Sequence, residues 1–192
     1  MNKIISLICL VLLSQPAWVM SRALSQSDSI DHGGKIETKY DGISAETLMR
    51  LRKMKVTCDG FKDNFKDGCA SIDVTLHLPG TQLSYVHHVT LQVVFESKNW
   101  VEGRHGYEQR GLTIVADGET LRLGQMKLVP LGDTSMSEKM VEILETTIPY
   151  AVFKKMAAAQ TVEIQVGRSR MELRDKNSAA LRDLGNRVLA TS

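Results

Sequence analysis

Over most of its length the chain alternates apolar and polar residues in short runs, and it changes to helical spacing only near its end. Val162, Ile164 and Val166 alternate with Glu163 and Gln165, and Met171 and Leu173 alternate with Arg170, Glu172 and Arg174. A period of two marks a half-buried strand. With Gly167-Arg168 as a two-residue turn, Ile164 falls opposite Met171 and Val162 opposite Leu173, so every apolar residue lands on one face. Gly at the first central position supplies the positive φ of a type II′ turn. A one-residue slip would turn one strand's apolar set to water, so the register is well specified. Helical patterns flank this hairpin. Val152, Met156 and Ala159, with Phe153 beside them, define a helix starting near Thr147-Ile148-Pro149, because Pro is tolerated in the first turn. Leu181, Leu184 and Val188 form the stripe of a final helix, with Asp175 as its expected cap. Gly185 inside that helix costs up to about 1 kcal/mol.

Upstream, Ile72, Val74, Leu76 and Leu78 alternate with Asp73, Thr75 and His77 until Pro79-Gly80 breaks the run. In the next run His87, Val89, Leu91, Val93 and Phe95 share one parity, which places His87 at a core margin; His88, Thr90, Gln92 and Glu96 take the other. A second hairpin turns at Asp117-Gly118, a type I′ signal, with Leu112 opposite Leu123 and Ile114 opposite Leu121. Val141–Leu144 adds a strand. Residues 43–56 are ambiguous, since Ser44 as a cap and ETLMRLRKM as helix formers compete with an extended reading. The segment is read as an extended edge strand. Strands early and helices late predict one α+β domain, an antiparallel β-sheet of about six to eight strands with two C-terminal helices flanking a β-hairpin.

The run FKKMAAAQTVEIQVGRSRMELRDKNSAALRDL resembles the C-terminal part of a family of uncharacterised bacterial exported proteins. Its members carry a Phe-containing helix, a small-residue stretch, a VE-x-x-x-G hairpin and a final helix. TKYDG with Thr47, the strand around Phe95 and the VADG turn near Leu123 extend the likeness over residues 38–189. The resemblance implies the extended reading of the segment leading into KVTC. It implies no activity, cofactor or catalytic residue.

The N-terminus adds a location. Lys3, the apolar run Ile4–Leu13 and the small residues of Ser21-Arg22-Ala23 form a secretory signal peptide over residues 1–23. That run is too short to span a bilayer, for which about 20 apolar residues are needed. Residues 24–38 are polar and read as a flexible tether, leaving 39–192 as the domain. Removing residues 1–23 takes Lys3 and Arg22, so 22 basic residues face 22 acidic ones. A neutral chain without interleaved aromatic and basic residues argues against nucleic acid as a partner. No later run is long enough for a transmembrane segment.

Candidate chemistry is sparse. Cys58 and Cys69 are the two cysteines left after cleavage, and in an oxidising compartment a disulfide is their default state. The enclosed Asp63, Asp67 and Gly68 suggest a calcium loop, but Val74 stands where a carboxylate is required. Arg50, Arg52, Lys53 and Lys55 form a basic run that either docks an acidic partner or blunts a sheet edge. Trp100, His105 and Tyr107 lie in a loop-like stretch suited to contact with a partner. If the two central strands pair with apolar faces matched, Asp73, His77 and His88 share the polar face as a two-His-one-carboxylate metal set. Phosphate-loop, G-x-S-x-G and H-E-x-x-H motifs are absent. The expectation is a non-enzymatic binding module of the bacterial envelope, periplasmic or secreted, needing no cofactor and contacting an envelope protein or other envelope component. The competing expectation is a metal carrier or metal-dependent hydrolase using Asp73, His77 and His88.

Overall fold

The computed structural model describes residues 33–59, 70–83, 85–97, 106–130 and 140–189. Its strands are β1 (Lys35–Asp41), β2 (Glu46–Asp59), β3 (Ala70–Pro79), β4 (His88–Ser97), β5 (Gly111–Ala116), β6 (Glu119–Gln125), β7 (Lys127–Val129), β8 (Met140–Ile148), β9 (Val162–Val166) and β10 (Ser169–Leu173). The helices are α1 (Tyr150–Ala158) and α2 (Asp175–Leu189). All ten strands join one antiparallel sheet in the order β6-β5-β9-β10-β2-β3-β4-β8-β7, with β1 on β2. The α+β architecture and the helix–hairpin–helix block are as the sequence predicts, with more strands than expected. Among the described residues no helix is long and apolar enough to cross a membrane.

β6 and β7 lie at opposite ends of this order, yet only Met126 separates them in sequence. Two residues span at most about 7 Å, so the sheet must curl until its ends meet. Met126 sits buried at that seam, its N–H bonded to the Arg110 carbonyl at 2.9 Å. The apolar face turns inward, where α1 and α2 bring Phe153, Met156, Leu181, Leu184 and Val188 into a core shared with Leu51, Ile72, Leu91 and Ile164.

The hairpins follow their turn chemistry. Ile164 pairs with Met171 and Val162 with Leu173, and Gly167 has φ of +57°. Asp117 and Gly118 both have positive φ, as a type I′ turn requires. Ile114 pairs with Leu121, but a bulge sets Leu112 against Gly124 rather than Leu123.

Other expectations are corrected. β2 is no edge strand, because β1 and β10 line one side of it in succession and β3 the other. β1 begins at Lys35, inside the stretch read as a tether. Ser44 caps no helix; it lies in the β1–β2 turn and donates to Asp41. The Arg174 carbonyl accepts from the Asn177 and Ser178 N–H groups, which makes Asp175 the first residue of α2 rather than its cap. The Asn177 side chain closes the turn by accepting from the Arg174 N–H at 3.2 Å.

Candidate functional site

The outer, polar face of β2, β3, β4 and β8 carries a cleft of about 340 Å³ lined by Arg50, Arg52, Asp73, Thr75, His77, Thr90, Gln92 and Glu145. Alternation explains the gathering. Arg50, Asp73, Thr75, His77, Thr90 and Gln92 each sit between buried neighbours on their strands, so matching the apolar faces aligns these side chains across the sheet, with Glu145 beside Gln92 on β8. The ladder pairs Thr75 with Thr90, Asp73 with Gln92, and Gln92 in turn with Glu145.

The groups hold one another. Gln92 donates to Glu145 at 2.6 Å. Asp73 stands opposite a bulge in β2 between Leu51 and Met54, where it accepts the Lys53 N–H at 2.7 Å. Arg52 Nε lies 3.7 Å from its other oxygen. At one end of the cleft His77 Nδ1–H donates to Glu46 Oε2 and Nε2 meets the Thr90 hydroxyl, both at 3.0 Å. His88 stacks on His77 with ring centroids 4.0 Å apart, and His87 meets His88 edge-on. The bond from His77 holds the Glu46 carboxyl below its ordinary value, against the opposing effect of desolvation. Burial lowers the His88 imidazole, and the neighbouring His77 and His87 add to the effect.

The sequence-predicted metal set is therefore corrected. Asp73, His77 and His88 do share one face, but Asp73 is committed to Lys53 and Arg52, and both His77 nitrogens are engaged. Among the described residues the convergent ligand atoms belong instead to Glu46, His87 and His88, all within 4.8 Å of one another. His87 is corrected too: Val86 takes the buried position, and the His87 side chain is 64% exposed. Glu46 escaped the sequence reading because it lies in the ambiguous segment, and only the β2–β3 register brings it beside His77.

Thr90, His77 and Glu46 also reproduce the hydroxyl–imidazole–carboxylate order of a hydrolytic triad. Thr90 lies mid-strand with ladders on both sides, so the backbone around it is committed to the sheet instead of forming an oxyanion hole. The relay fixes the His77 ring.

Arg50 and Arg52 of the basic run enter the cleft lining; Lys53 is exposed, and its backbone is held by Asp73. Trp100, His105 and Cys69 lie outside the described residues, and Tyr107 opens a short 3₁₀ turn. Cys58 is placed in β2, paired through the backbone with Met171. Comparison with known proteins finds no matching family model, curated protein or solved structure, so the site is read from its own geometry.

Proposed function

We propose that the protein is an exported, non-enzymatic binding module of the bacterial envelope whose cleft takes a small polar group presented by an envelope component. The N-terminal pattern of Lys3, Ile4–Leu13 and Ser21-Arg22-Ala23 supports the location. One observation carries the binding reading: a concave polar surface built across four strands, with half-buried Arg50, Thr75, Thr90, Gln92 and Glu145 facing one space. Rigid strands fix these groups, which favours recognition by geometry over adaptive contact. Arg50 and Arg52 at one side suit an anionic oxygen; the Thr hydroxyls and the Gln92–Glu145 pair suit hydroxyl or amide groups. The ligand class is therefore a polar solute or sugar unit bearing one acidic group.

Losing a charge-assisted hydrogen bond costs about 1.5–3 kcal/mol, or roughly 10–100-fold in affinity. The test is calorimetry of the purified chain against acidic sugars and amino-sugar fragments of the envelope. Binding of at least one is expected, reduced by that factor in Arg50→Ala and unchanged in Lys127→Ala. A panel without a binder, together with no Arg50-dependent adduct from a photo-crosslinker at Thr75 in intact cells, refutes the proposal.

A further inference from the structure

We infer that Glu46, His87 and His88 form a binding site for one divalent transition-metal ion of the zinc type, distinct from the polar cleft. Glu46 starts β2, and His87 and His88 lead into β4, so the site bridges one end of the β2–β3–β4 sheet. The donor set is two imidazoles and a carboxylate, a combination suited to borderline cations and poor for magnesium or calcium.

The distances fit a site awaiting its ion. The three ligand atoms lie within 4.8 Å of one another, and His87 Nδ1 is 3.9 Å from Glu46 Oε1. Metal–ligand bonds of about 2.0–2.1 Å place tetrahedral ligands about 3.3 Å apart. Closing that gap requires shifts of about an ångström, and His87 is the exposed member, free to rotate inward. His88 is constrained by its stacking on His77.

The surroundings resemble those of built metal sites. Ligands are normally oriented by a further layer of hydrogen bonds. Here His77 donates to Glu46 Oε2 at 3.0 Å, which leaves Oε1 directed toward His87. Thr90 in turn fixes the other nitrogen of His77. A fourth position faces solvent through the exposed side of His87 and is available to water or to a group carried by a partner. His77 acts as a positioning residue, which explains why a polar relay occupies this end of the sheet.

The experiment is zinc titration of the purified full chain after chelator treatment, with magnesium as a comparison. One zinc per chain is expected, with a raised melting temperature, and magnesium should produce neither effect. His87→Ala should lower zinc affinity at least about tenfold while changing the metal-free melting temperature little, because the His87 side chain is largely exposed. Glu46→Gln should weaken zinc similarly. His77→Ala should weaken it about 10–100-fold as the loss of an orienting bond, with His77→Gln restoring part of the affinity. Asp73→Ala should keep full affinity. No zinc binding, or equal affinity in the parent, His87→Ala and Glu46→Gln proteins, overturns the assignment. Neither outcome bears on the Arg50-dependent cleft, whose own test is separate.

Discussion

The same substitution, glycine to alanine, should have opposite effects at two positions. At Gly167 the backbone φ is +57°, in the first central position of the β9–β10 turn. An L side chain in left-handed backbone costs about 1–2 kcal/mol. A Cβ there would also run into the Gln109 carbonyl, with the carbonyl carbon 2.9 Å away. That neighbour is backbone, and it cannot swing aside: the Gly167 N–H bonds to the Gly111 carbonyl at 3.0 Å, tying the turn to the start of β5. Overpacking of this kind adds about 1–3 kcal/mol, so Gly167→Ala should lose about 2–5 kcal/mol.

Gly185 is different. It lies inside α2, and an added Cβ would meet Phe153 Cε1 at 3.6 Å and the Ala157 Cβ at 3.7 Å, ordinary contact with α1. Alanine keeps that packing and gains up to about 1 kcal/mol of helix propensity. The assay is urea unfolding. With a slope of about 2 kcal/mol per molar, Gly167→Ala should lower the midpoint by about 1–2.5 M and Gly185→Ala should raise it by up to about 0.5 M. A Gly167→Ala midpoint within about 0.3 M of the parent, or a lowered one for Gly185→Ala, refutes the reasoning.

Three further outcomes are expected. Asn177→Ala removes the acceptor for Arg174 N–H and the donor to the Lys55 carbonyl; a loss of about 1–3 kcal/mol should appear in the same urea assay. Asp117 accepts the Thr161 and Gln160 N–H groups, which hold its carboxyl below the ordinary 3.8. A carboxyl lowered by folding stabilises above its unfolded pKa and ceases to do so as pH falls through its folded one. Asp117→Asn should therefore melt below the parent at pH 7, with the gap closing below pH 3.8. We propose that Cys58 and Cys69 are bonded in the mature protein, which would contribute about 2–3 kcal/mol for a loop of that size; titration of denatured protein from its native compartment should then find no free thiol, and two reactive thiols would refute the pairing.

What was legible in the sequence was local. The β9–β10 and β5–β6 turns could be placed because Gly167 and Asp117-Gly118 serve specific turn geometries, and α1 and α2 because their apolar spacing runs through several turns. β1 was missed because KIETKYD is largely exposed or half-buried and shows no apolar alternation. The α2 start was shifted by one residue because Asp is a favoured cap residue, whereas here Arg174 takes the cap position and Asn177, inside the first turn, supplies the side-chain bond to it. His87 was misplaced because strand parity was carried one residue beyond the strand, which starts at His88.

The ambiguity of residues 43–56 has a definite physical source, and it explains the error over Asp73. In β2 the core-facing buried positions run Thr47, Met49, Leu51, then change parity to Met54 and Val56, and Leu48 is buried as well on the opposite parity. Without an added residue, Lys53 and Lys55 would face the core. The bulge between Leu51 and Met54 absorbs the offset, with Lys53 at φ of +58°. Period two is thereby broken, and the surviving spacing of Leu48, Leu51 and Met54 imitates a helix. The bulge also frees a backbone donor, and Asp73, directly across on β3, accepts it. A carboxylate that alternation alone assigns to a metal is thus needed by the strand next to it. Glu46, five residues before Leu51, after which the register shifts, keeps its place in the regular ladder opposite Pro79 and is left to face the histidines.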